Sequence, residues 1–295
     1  MIRSHTGAAI PRLIGVIHLP PLAGSPRSLA EGDDPALALQ KAGILAVKEA
    51  KLLAQAGFEG IILENFGDTP FFKTQVPPET IASLAIIAAA VRESVSIPIG
   101  INVLRNDSGA ALAIAAVTSC DLIRVNVLTG VAATDQGMIE GEAAKLIRER
   151  QRLGSNQIGI LADVHVKHAR SLSSDDIGIA LEEVALRSMA DAVIVTGVTT
   201  GRSVEMDSLR RASEVARAHD IPVLIGSGAR RDNLGSLLQY AQGIIVGSDL
   251  RRDGKAGAPL DPKRVREFAK AFMNATKSPK KTRSKPTKKV TKKRK

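Results

Sequence analysis

Short apolar runs recur along this chain, separated by longer segments of helical periodicity. The first run, Leu13–His18, leads into a stretch over 19–34 whose Pro20, Pro21 and Pro26 forbid regular structure. A helix is predicted over 35–56: Asp34 can cap it, Pro35 suits its first turn, and Gly57 stops it. A second strand follows at Gly60–Glu64, then a loop with Phe66, Phe71 and Phe72 and a helix over 78–95. The pattern then repeats. Strands are predicted over 97–103, 121–127, 158–166, 191–196, 222–226 and 243–247. Helices are predicted over 107–118, 138–153, 174–189, 204–219, 231–240 and 261–275, with Asp107 a cap and 128–137 a polar, glycine-bearing loop. Apolar strands alternating with helices signal βαβ units around a parallel sheet. Eight such units within residues 11–275 predict one closed (β/α)8 TIM barrel; the alternative is an open doubly wound sheet, which usually needs fewer units.

A barrel of this kind carries its site where the strands end. The polar residues cluster there, whereas the helix-to-strand connections read as ordinary stops and starts. On the fifth strand, Ile160-Leu-Ala-Asp-Val-His-Val-Lys-His168 alternates strictly at its end. In extended backbone Asp163, His165 and Lys167 share one face, with Val164 and Val166 on the other. Either this is a self-satisfied polar strand end or it is a reactive row. In the second case Glu64 approaches across the mouth, the carboxylate orients the imidazole for proton transfer, and Lys167 holds an anion or forms a Schiff base. His18, ending strand one, is the supporting candidate, and His168 falls on the opposite face. Asn102, Arg105, Asn126 and Thr196 are further strand-end candidates for binding a ligand.

The last two strands end in Gly226-Ser227-Gly228 and Gly247-Ser248. Glycine lets backbone amides approach an anion, a following helix N-terminus favours negative charge, and these two loops form the usual phosphate site of a barrel. Tight turns without a ligand would look the same. No P-loop or GxGxxG is present, so a Walker-type nucleotide site is not expected. Glu64, Asp163 and His165 could hold a divalent metal, although no dense ligand motif such as HExxH supports one.

Composition refines this picture. Hydrophobic residues make up 44%, yet there are only six Phe, one Tyr and no Trp, so the core must be aliphatic, as in buried parallel strands. The single cysteine, Cys120, excludes an internal disulfide. Residues 1–9 lack the apolar core of a signal peptide, and no apolar run reaches the ~18 residues of a membrane span, so a cytoplasmic location is the default. The formal net charge is +11, from 41 basic and 30 acidic residues, but residues 276–295 hold eleven Lys or Arg and no acid. The rest then carries 41 − 11 = 30 basic against 30 acidic residues, a neutral body with a basic tail. The tail, with Pro279 and Pro286, is expected to be disordered. It could contact nucleic acid or an anionic membrane surface, or serve solubility alone. A homo-oligomer is compatible with all of these features.

Several longer motifs resemble the BtpA/SgcQ family: Gly15-Val-Ile-His-Leu-Pro-Pro-Leu-Ala-Gly-Ser-Pro-Arg27, Ile61-Ile-Leu-Glu-Asn-Phe-Gly-Asp68, Asn102-Val-Leu-Arg-Asn-Asp107, Thr134-Asp-Gln-Gly137 and Ala162-Asp-Val-His-Val-Lys-His-Ala169, with the Gly226-Ser-Gly228 and Val246-Gly-Ser248 turns. The resemblance spans residues 11–272. It implies a barrel related to ribulose-phosphate-binding folds. A cyanobacterial member is associated with photosystem I biogenesis as a peripheral thylakoid protein, and a bacterial branch sits with sugar metabolism and carries a nucleoside triphosphatase label. No catalytic residue set carries over, and the basic tail is a departure from the family's pattern. The expected function is to bind, and as a hydrolase or lyase act on, a small phosphorylated or anionic metabolite. The competing expectation is a non-catalytic assembly factor at a membrane surface, or one associated with nucleic acid.

Overall fold

The computed structural model describes residues 1–4, 7–28, 34–197 and 205–277. Eight parallel strands close into a barrel. They are β1 (Leu13–His18), β2 (Gly60–Glu64), β3 (Ile99–Asn102), β4 (Leu122–Val125), β5 (Gly159–Val164), β6 (Ala192–Val195), β7 (Val223–Ile225) and β8 (Gly243–Val246). Closure comes from β8 against β1, with Ile244 beside Leu13 and Val246 beside Gly15. The connecting helices are α1 (Pro35–Gln55), α2 (Pro78–Ser94), α3 (Ser108–Val117), α4 (Ala143–Arg152), α5 (Ile177–Arg187), α6 (Met206–Ala218), α7 (Leu234–Leu237) and α8 (Pro262–Lys277). The open-sheet alternative is thereby excluded. Asp34 and Asp107 cap α1 and α3 as expected, each carboxylate accepting a first-turn amide.

Alternation along the strands divides the aliphatic residues into two cores. One face of each strand packs on the helices, through residues such as Ile61, Ile101 and Val193. The other fills the barrel with Ile14, Val16, Ile62, Leu122, Leu161, Ile194, Leu224 and Ile245. The same inner cluster includes Ala8 and Ile10, from a small antiparallel strand pair (Ile2–Arg3 with Ala9–Ile10) that the sequence did not announce. Burying those side chains closes the N-terminal end with apolar surface, which favours folding by about 25 cal/mol per Å² removed from water.

The other differences lie at the opposite end. Residues 128–137 were expected as loop and 138–153 as helix. Instead Val131–Thr134 pairs with Gly137–Glu140, and Ala169–Ser171 joins the first of these, making a three-stranded antiparallel sheet. Here α4 starts at Ala143, and the helix expected over 231–240 shrinks to the single turn of α7. The tail beyond Lys277 lies outside the described residues; Thr276 and Lys277 close α8. Among the described residues no helix is long and apolar enough to cross a membrane.

Candidate functional site

Inward-facing positions continue past the apolar filling into a polar layer. Under the mouth, β4 sends Arg124 into the barrel, where burial alone would lower its pKa but Asp163 and Glu64 raise it, so the guanidinium is held charged. Its Nε and Nη2 donate to the two oxygens of Asp163, at 3.1 and 3.0 Å, and its Nη1 lies 4.0 Å from Glu64 Oε2. Asn126 Nδ2 donates to Asp163 at 2.7 Å, and Asn102 Nδ2 donates to Asn126 Oδ1 at 3.2 Å. This buried lattice is nearly satisfied; Asn102 Oδ1 is its orphan.

Above the lattice lies a cavity of about 230 Å³. His18, Glu64, Arg124 and Lys167 line one side, and Gly226, Ser227, Gly228, Arg230, Gly247 and Ser248 the other. This is below the roughly 300–1,000 Å³ of drug-sized pockets, so it suits a small metabolite. Gly226 donates its amide to Val195, as part of the barrel wall. Among the described residues the Ser227, Gly228 and Ser248 amides have no protein acceptor. Gly228 has φ +74°, a conformation glycine adopts freely. At Gly247 a Cβ would sit 3.2 Å from His18 Nε2, so glycine there keeps the imidazole and the loop in close approach. Neither loop leads into a long helix. Strand β8 runs into a 3-10 turn at Ser248–Leu250, and α7 has four residues.

His18 stacks on Phe66, with ring centroids 4.3 Å apart. Its Nδ1 accepts the Gly257 N–H at 3.1 Å, which places the proton of the neutral ring on Nε2. Burial holds its pKa well below the ordinary 6.5, and Arg251, Lys167 and Arg124 push the same way. The cavity therefore contains a neutral imidazole donor. Burial also lowers the pKa of the Lys167 amine, with help from Arg124 and Arg105, against the opposing pull of Glu64 and Asp163. Arg105 is buried and donates to the Lys167 carbonyl at 2.7 Å, so it positions the lysine backbone rather than facing the cavity.

The reactive row expected on the fifth strand divides. β5 ends at Val164, and both His165 (φ +54°) and His168 (φ +58°) leave extended geometry, so the side chains no longer alternate. His165 turns toward α5, where its Nε2 contacts the Ser174 carbonyl at 2.8 Å beside a crevice of about 40 Å³. It does not share the cavity with Lys167, and Thr196 donates to its carbonyl at 3.1 Å instead of reaching the mouth. Asp163 points inward, but both oxygens are engaged by Arg124 and Asn126. The metal trio of Glu64, Asp163 and His165 is likewise not assembled. Among the described residues no three His, Cys, Asp or Glu side chains converge to hold a metal ion. His168 is exposed rather than packed.

Sequence reasoning missed two cavity residues, Arg124 and Arg230. Arg124 was visible as a lone charge within Leu122-Ile-Arg-Val125, two residues before Asn126 and so on the same face. Arg230 closes the Gly226-Ser-Gly-Ala-Arg230 turn.

Fold and site together define a (β/α)8 barrel with a charged, glycine-walled mouth. A sequence model of the BtpA family matches residues 10–274, and the chain belongs to that family. It is 44% identical over 266 residues to the photosystem I biogenesis protein BtpA of Synechocystis, covering 90% of this chain and 89% of that one. It is 46% identical over 256 residues to an uncharacterized protein of Methanocaldococcus jannaschii, covering 87% and 93%. Among solved structures, N-(5'-phosphoribosyl)anthranilate isomerase of Pyrococcus furiosus superposes with a TM-score of 0.53 at 17% identity, covering 79% of this chain and 96% of that one. Tryptophan synthase of Mycobacterium tuberculosis superposes with 0.54 at 18% identity, covering 90% and 91%. These two share the fold.

Proposed function

We propose that the barrel binds a small phosphorylated or otherwise anionic metabolite at its mouth and acts on it there. The carrying observation is that the unengaged Ser227, Gly228 and Ser248 amides, with Arg230, wall the same cavity as His18, Glu64 and Lys167. The amides and Arg230 would take the anion, and the other three would meet the remainder of the molecule. Thermal-shift titration with inorganic phosphate and sugar phosphates tests this. A ligand at 100 times its Kd should raise stability by about 2.7 kcal/mol. Gly247→Ala, which crowds His18, should remove that gain, whereas gains that persist in this variant would place the anion elsewhere.

A second reading is favoured by one observation, the photosystem I biogenesis name of the 44%-identical relative. Under it the barrel is a non-catalytic assembly factor that docks through exposed rim residues such as Phe72, Met138 and Leu172. Replacing those three by Ser would then abolish function in vivo, while Lys167→Met would not. The basic segment 276–295 would add contacts to nucleic acid or to an anionic membrane. Its deletion should remove any low-salt binding to either.

A further inference from the structure

Three cations line the cavity, and two have fixed carboxylate partners. Arg124 is held by Asp163 and Arg230 by Asp232. Among the described residues no hydrogen bond or ion pair holds the Lys167 amine, although it faces the cavity beside Glu64 and His18. A lysine amine shifts its pKa readily when buried, which is how Schiff-base lysines are made nucleophilic. This one is withdrawn from water and set among guanidinium groups.

We infer that Lys167 is a nucleophile that condenses with the carbonyl carbon of a small phosphorylated aldehyde or ketone to form an imine. The inference rests on the anion site proposed above, which would hold the phosphate of that molecule. An amine needs a free lone pair to attack, and burial together with Arg124 and Arg105 favours the unprotonated form. Attack forms the C–N bond and moves the carbonyl π pair onto oxygen. The His18 Nε2–H can donate to that oxygen without being ionised, as a neutral imidazole does when polarising a carbonyl. The Glu64 carboxylate takes a proton from the new ammonium nitrogen and gives it to the oxygen. As the nitrogen lone pair closes the C=N bond the C–O bond breaks, and Glu64 takes the second nitrogen proton and delivers it to the departing hydroxyl, which leaves as water. Both N–H protons leave in the water, so the balance is amine plus carbonyl to imine plus water, with no redox partner.

The test is reductive trapping of the full chain. Glycolaldehyde phosphate, or glycolaldehyde lacking the phosphate, is added with sodium borohydride, and modified lysines are mapped by peptide mass. The expected result is a single adduct at Lys167 with the phosphate-bearing probe, suppressed by excess inorganic phosphate and absent in Lys167→Arg. Mapping of the wild-type chain decides the matter even if that variant fails to fold. Labelling of surface lysines with Lys167 unmodified overturns the imine. If phosphate still raises the melting temperature in that case, the anion site stands alone. A Lys167 adduct formed equally well by glycolaldehyde, and insensitive to phosphate, supports the nucleophile and overturns the anion site.

Discussion

Two buried arginine–aspartate pairs lie at opposite ends of the barrel and do different work. At the closed end, Asp191 accepts from Ser4 Oγ at 2.9 Å, from the Ile160 amide at 2.9 Å and from Arg150 Nη1 at 3.1 Å. That carboxylate ties the N-terminal segment, α4 and the start of β5 to β6. At the open end, Arg124 and Asp163 bond each other twice, but Arg124 keeps Nη1 directed toward Glu64 and the cavity. Burial of a charge is therefore a poor guide to function. A buried charge marks a site when one of its polar atoms is left facing open space.

The comparison predicts unequal costs. Asp191→Ala should have the largest effect, lowering stability by about 3–5 kcal/mol because a buried arginine loses its partner. Urea denaturation measures it, and a loss under about 1 kcal/mol would break the staple interpretation. Phosphate binding by the folded fraction should be unchanged. Asp163→Asn should cost about 1–3 kcal/mol and weaken ligand binding as well. The substitution removes a charge that Arg124 and Asn126 both contact.

Third in size is a pH effect. The folded pKa of His18 lies below its ordinary value, so the unfolded chain takes up the proton first. Stability from this residue is complete above pH 6.5 and falls as the pH drops from there toward the folded pKa, by roughly 1 kcal/mol per pH unit. His18→Gln should flatten the acid limb of the stability curve. An unchanged limb would mean the imidazole titrates freely. The smallest stability effect is expected for Lys167→Met, within about 0.5 kcal/mol, because no partner is lost. Its consequence should appear in borohydride trapping of glycolaldehyde phosphate, which should be lost while calorimetric binding of inorganic phosphate is kept.

Much of the barrel was legible because buried parallel strands are written as apolar runs. The strands ending in His18 and Glu64 fall where the pattern placed them. The three-stranded antiparallel sheet was not legible. Val131-Ala-Ala-Thr134 has strand-favouring residues only at its two ends, and its partners Gly137–Glu140 and Ala169–Ser171 are brought to it by the barrel. Within the site, alternation correctly placed Asp163 and failed two residues later. Periodicity holds only while the backbone stays extended, and the turns at His165 and His168 depend on tertiary contacts. Arg124 lies within its strand, one layer below the strand ends where a barrel's polar residues gather, so its position alone does not single it out.

The three-stranded antiparallel sheet has a mechanical consequence. Lys167 lies between β5, which ends at Val164, and the Ala169–Ser171 strand of that sheet, so it sits on a connecting segment, whereas Glu64 and Arg124 stand on barrel strands. Arg105 ties the lysine carbonyl to the loop after β3, and on the other side the chain runs directly into the antiparallel sheet. Displacing that sheet would therefore carry the Lys167 backbone with it and leave the strand-borne Glu64 and Arg124 where they are.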